Sequence, residues 1–113
     1  MKMIYISHPF TGDEANNRKK AQSITKTLAQ NCKEVLFINP LETLQALNDT
    51  GHTYEAVMEQ AVELMSRCDE VIFCNGWQDS RGCNQELREA KHRGMPCHMG
   101  TTEFLAEYFK KQD

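Results

Sequence analysis

The stretch Gly76-Trp77-Gln78-Asp79-Ser80-Arg81-Gly82-Cys83-Asn84-Gln85-Glu86 gathers two carboxylates, a hydroxyl, a thiol and an indole around two glycines. Of these groups, Glu86 has the chemistry with the widest reach: an ionised carboxylate acts as a nucleophile at an electrophilic carbon or as a general base. Read as the opening residue of a helix, it gains from the helix macrodipole, which holds it charged near neutral pH. Cys83 is a second candidate nucleophile and is expected to be more exposed than the other cysteines, but no base lies near it in sequence. His52, His92 and His98 match no metal-ligand spacing with one another or with a cysteine, and no metal or cofactor is expected.

The elements that must position this stretch follow from the flanking residues. Asp69-Glu70-Val71-Ile72-Phe73-Cys74 reads as a buried strand, and Glu86 to Arg93 as a helix closed by Gly94 and Pro96. Upstream, Met3 to Ser7 is a first strand ended by His8-Pro9. Thr11-Gly12-Asp13-Glu14 has the pattern of a capping box, before a helix from Ala15 to Gln30 whose inward face is Ala21, Ile24, Thr25 and Leu28. Glu34 to Asn39 is a second strand ended by Pro40. Leu41, Leu44 and Leu47 allow a short helix before a turn at Asn48 to Gly51. From Thr53 to Arg67, Tyr54, Val57, Met58, Ala61, Leu64 and Met65 recur at helical spacing as a core stripe that continues to Cys68. Met95 to Met99 suggests a short fourth strand. A last helix, capped by Thr101 or Thr102, points Phe104, Leu105, Tyr108 and Phe109 inward. Strands alternating with helices require right-handed crossovers and a parallel sheet. The expected fold is α/β, a three-layer α/β/α sandwich with a small parallel, flavodoxin/Rossmann-like sheet.

In such a sheet, ligands bind at the carboxyl ends of the strands. Three loops should meet there: Ser7-His8-Pro9-Phe10-Thr11-Gly12, Asn39-Pro40, and Asn75 to Gly82. They supply two large rings, Phe10 and Trp77, with small hydrogen-bonding side chains around them. That mixture suits a small, flat, polar ligand such as a nucleobase with its sugar.

The 113 residues make one domain, residues 1–113, near the small end for this fold, where oligomerisation helps stability. Thirteen basic against sixteen acidic residues leave a charge of -3, so no nucleic acid polymer is expected as partner. Five cysteines without a paired spacing suggest a reduced, cytoplasmic setting. No apolar run approaches the roughly 18 to 20 residues of a membrane span, and the first residues lead into a strand rather than a signal peptide, so no membrane partner is expected.

Tyr5-Ile6-Ser7-x-Pro9 with Thr11-Gly12, then Asn39-Pro40, then Cys68-Asp69, then Gly-Trp-x-Asp-Ser-x-Gly-x-x-x-Glu resembles the nucleoside 2-deoxyribosyltransferase-like superfamily, in order along nearly the whole chain. The likeness is to its short branch, and the spacing of Ser80, Gly82 and Glu86 is similar to that of deoxynucleoside 5'-monophosphate N-glycosidases. The resemblance implies that Glu86 attacks the anomeric carbon of a nucleoside or nucleotide and releases the base. It implies that Tyr5 orients Glu86, that Ser80 and the Gly82 amide bind the sugar or a 5' substituent, and that Asp79 or Asp69 protonates the departing base. Ser7, His8, Pro9, Phe10, Gly12, Asn39 and Trp77 complete the expected substrate site. His8 stands where relatives commonly have glycine. The arginine that monophosphate-specific relatives carry near Thr11 is absent, with Arg18 or Arg81 as possible substitutes, so strict monophosphate specificity is not expected. A homo-oligomer is expected, from the small size, the aromatic last helix and the habits of the family. The rival expectation is a non-catalytic module that binds a nucleotide or nucleotide-derived signal.

Overall fold

Four apolar runs form the sheet in the computed structural model, which describes residues 1–112. They are β1 (Lys2–Ser7), β2 (Val35–Ile38), β3 (Glu70–Phe73) and β4 (Cys97–His98). All pair in parallel, in the order β2-β1-β3-β4, with Tyr5 beside both Ile38 and Val71. The helices are α1 (Glu14–Asn31), α2 (Pro40–Thr43), α3 (Gln45–Asp49), α4 (Tyr54–Ser66), α5 (Arg81–His92) and α6 (Thr101–Gln112). The result is the Rossmann/flavodoxin-like parallel α/β architecture.

Side-chain alternation along β1 splits the core between the two faces of the sheet. Ile4 and Ile6 pack with Leu28 and Cys32 at one end of α1 and with Phe104 of α6. Tyr5 packs on the other face with Met65, Val71, Phe73, Cys83, Leu87 and Ala90 beneath α4 and α5. From β1 the chain crosses outward to β2 and then returns past β1 to β3. The strand order therefore reverses between β1 and β3, which opens a crevice at their carboxyl ends.

Several local expectations are corrected. The turn at Gly12, with φ of 101°, carries Thr11 out of capping position. Helix α1 starts after Asp13 instead, and Glu14 reaches back only to accept from the Gly12 N–H. Pro40 ends β2 but also begins α2, where its missing N–H costs nothing and Asn39 caps the turn. The fourth strand has two residues. Phe104 is buried, whereas Phe109 is 46% exposed on the outer side of α6. At the amino ends of the strands, buried Glu70 accepts from Lys2 and pairs with His98, whose other ring nitrogen faces Glu107. This network ties β1, β3, β4 and α6 together.

Candidate active site

Ser80, not Glu86, marks the start of α5. Its hydroxyl accepts from the Cys83 N–H at 3.2 Å, the N-cap geometry. Glu86 therefore lies in the second turn, where the macrodipole has largely faded. It shares its face with Cys83, Leu87 and Ala90, all buried at i, i+3, i+4 and i+7 spacing, so the helix drives a carboxylate into the core along an apolar stripe.

There it meets β1. The Tyr5 hydroxyl donates to Glu86 Oε2, and the Ser7 hydroxyl donates to Oε1 at 2.8 Å. The two residues are neighbours on the same face because strand side chains alternate. Glu86 is only 5% exposed. Its burial pushes the carboxyl up to about 7, against the opposing pull of the Tyr5 and Ser7 hydrogen bonds. The expectation of a carboxylate held ionised by the helix end is corrected: desolvation outweighs the dipole, and the group titrates near neutrality. The Tyr5 phenol is driven well above its usual range by its own burial and then by the Glu86 charge. Tyr5 accordingly remains a donor.

Glu86 faces a cleft with two lobes. The inner lobe, about 240 Å³, has a wall of hydrocarbon from Pro40, Leu41, Leu44, Val57, Met58 and Ala61, with Phe10 at its edge. The outer lobe, about 690 Å³, is the more polar of the two and includes Asn17, Lys20, Asn75, Asp79 and Arg81. His8, Thr11, Tyr54, Ser80 and Gly82 border both. The cleft walls are tied by backbone and amide bonds. Cys74 N–H donates to Ser7 O at 2.9 Å, and the Asn17 amide donates to Phe10 O at 2.9 Å. The Asn84 amide reaches the carbonyls of Trp77, Gln78 and Ser80, closing the turn before α5. Gly76, with φ of 91°, makes that turn possible without a strained side chain.

The structure thus brings Tyr5, His8, Pro9, Phe10, Asp79, Ser80, Gly82 and Glu86 around one cleft, with Ser7 buried behind Glu86. His8 is buried, and its Nδ1 lies 2.7 Å from Pro9 O. Burial lowers its pKa, which favours a neutral ring. Asp79 is exposed on the outer lobe. Asp69 is not part of the assembly: it accepts from the Met3 N–H at the amino end of β3, roughly 13 Å of strand from the cleft. Trp77 is likewise diverted. The 3-10 turn Trp77–Asp79 folds its ring against Phe73 and the core, outside the cleft lining. Gly12 and Asn39 sit at this edge as a turn and a helix cap. Cys83 is buried rather than exposed, and desolvation pushes its thiol up, so it is a poor nucleophile.

The sequence assigned Tyr54 and Met58 to the core; Met58 is buried as expected, and both also line the cleft. A signal was present: they occupy the first turns of a crossover helix, whose amino end returns to the carboxyl edge of the sheet. Two guanidiniums flank the opening on aromatic faces, Arg18 over Phe10 at 5.1 Å and Arg81 over Tyr54 at 4.4 Å. Among the described residues, no group of His, Cys, Asp and Glu side chains has the geometry to hold a metal ion. No described helix is long and apolar enough to cross a membrane.

Fold and site together define a parallel α/β domain with a buried carboxylate lining the cleft at the carboxyl edge of the sheet. Residues 2–100 match the family model described as a domain of unknown function (DUF7768), and the chain belongs to that family. A comparison with curated proteins found no match.

Proposed function

We propose that this domain cleaves or transfers the N-glycosidic bond of a nucleoside or nucleotide, as the likeness to the nucleoside 2-deoxyribosyltransferase-like superfamily suggests. The observation that carries the reading is the Glu86 carboxylate, which faces the cleft while Tyr5 and Ser7 donate to its two oxygens. Those bonds fix the carboxylate in one orientation and leave it lone pairs for attack.

The ionised Glu86 attacks the anomeric carbon as the bond to the base breaks, through an oxocarbenium-like transition state. Asp79, which lines the outer lobe, is the carboxyl assigned in this reading to protonate the departing base. The glycosyl ester on Glu86 is then opened by water or by a second base, whose displaced proton returns to Asp79, regenerating the carboxylate and the acid. The apolar inner lobe and the more polar outer lobe suit the two ends of a nucleoside. Lys20 and Arg81 tolerate a 5'-phosphate without an arginine at Thr11. No metal or cofactor enters this chemistry. A cytoplasmic homo-oligomer is part of the same reading.

The test is free-base release, followed by chromatography, from ribo- and deoxyribonucleosides and their monophosphates, with and without an acceptor base. Activity abolished in Glu86→Ala and Glu86→Gln supports the proposal. Ligand-induced thermal stabilisation without any base release would favour the binding module instead.

A further inference from the structure

Tyr54 begins α4, with its ring beneath the Arg81 guanidinium. Its hydroxyl is buried and has no hydrogen-bond partner. Buried hydroxyls ordinarily find one, so the oxygen of this half-buried ring is open to a partner brought by a ligand. The other two unpartnered buried side-chain atoms among the described residues are Arg18 Nε and Asn39 Nδ2. One lies near the start of α1 and the other at the end of β2, both at the carboxyl edge of the sheet. All three orphans thus cluster at the end of the domain that carries the cleft.

Gly82 locates the phenol more closely. A Cβ there would stand 3.6 Å from the Tyr54 oxygen and 3.4 Å from Met58 Sδ, so both side chains lie over this glycine. Gly82 and Glu86 are four residues apart on α5 and share a helix face. The Tyr54 hydroxyl therefore lies over α5 about one turn before Glu86. A base leaving opposite an attacking Glu86 is separated from that carboxylate by the sugar ring. A group lying over α5 beside Glu86 meets the sugar instead. Met58 Sδ lies over the same glycine, and an unbranched thioether adapts at little cost to a ligand that reaches the phenol.

We propose that the Tyr54 hydroxyl binds a ring hydroxyl of the sugar, a role that rests on the glycosidic reading of this cleft. A phenol both donates and accepts, as does a sugar hydroxyl. The bond satisfies an oxygen that the free chain leaves unpaired, so affinity is gained for substrates that bring the partner.

The experiment compares wild type with Tyr54→Phe on ribo-, 2'-deoxy-, 3'-deoxy- and 2',3'-dideoxynucleosides of one base, reading kcat/KM, together with the melting temperature of each free protein. The expected result is a loss of about tenfold in Tyr54→Phe on substrates bearing one particular ring hydroxyl, and near-equality with wild type on the dideoxy compound. The melting temperature should stay level or rise, since the substitution removes an unpaired hydroxyl. An equal loss on all four substrates, no loss on any, or a lowered melting temperature overturns the inference while leaving the glycosidic reading in place. Absence of base release from wild type on every substrate overturns both.

Discussion

Replacing Glu86 with Gln should stabilise the protein, and by an amount that depends on pH. The carboxyl moves from 4.5 to about 7 on folding because its charged form loses water. A raised carboxyl pKa means that the folded chain holds the proton more tightly than the unfolded one. The neutral form therefore contributes its full stability below about pH 4.5, and that contribution is lost as pH rises toward 7. At about 1.4 kcal/mol for each pH unit of displacement, wild type above pH 7 is less stable than at pH 4 by about 3 kcal/mol from this group alone. Gln is nearly isosteric and does not titrate. Its amide can accept from one of the Tyr5 and Ser7 hydroxyls and donate to the other after rotation. Thermal unfolding followed by circular dichroism between pH 5 and 8 should show the variant melting higher by about 10 °C at pH 8, at about 4 °C per kcal/mol for a chain of this size. The gap should narrow toward pH 5. A pH-independent gap, or a variant less stable at pH 8, would refute the reasoning that Glu86 is held at the cost of stability.

Base release should rise with pH through about 7 as Glu86 ionises, and a flat rate between pH 5.5 and 7.5 would separate Glu86 from the chemistry. Tyr5→Phe removes a donor that favours the ionised carboxylate, so the rise should move to higher pH and the rate at pH 7 should fall about tenfold. A profile unchanged in position would place Tyr5 outside the site. Glu70→Ala, which unties Lys2 and His98 at the far end of the sheet, should lower stability in urea unfolding by about 2 kcal/mol while kcat/KM stays near wild type. Sedimentation at low micromolar concentration should show an oligomer, and a monomer alone would contradict that part of the proposal.

The parallel sheet was legible because β3 is buried on both faces and α4 carries a long apolar stripe, patterns that depend on local periodicity. The meeting of three loops was legible as well, since it follows from strand order rather than side-chain detail. The start of α5 was not. Gly82 and Asn84 are weak helix formers and made the first turn look like loop, so the Ser80 cap was missed and Glu86 was placed a turn too early. The displaced pKa went unseen for the same reason: burial arises from packing between α5 and β1, which no single segment carries. Ser7 was expected as a substrate contact, whereas its hydroxyl is engaged by Glu86. Trp77 looked like a stacking platform by residue type, but the positive φ of Gly76 turns it back onto Phe73. Tyr54 was read as core because a helix stripe by itself does not mark where the core ends; only its place in the first turn of a crossover helix points to the cleft.

The most direct test of the central role given to Glu86 is mass spectrometry of the protein quenched during turnover with a 2'-fluoro-2'-deoxynucleoside, a substituent that destabilises the oxocarbenium-like transition state and lets a glycosyl-enzyme accumulate. The account predicts a fluorosugar adduct on the peptide containing Glu86, absent in Glu86→Gln. Base release that continues in Glu86→Gln, or an adduct on another residue, would contradict it.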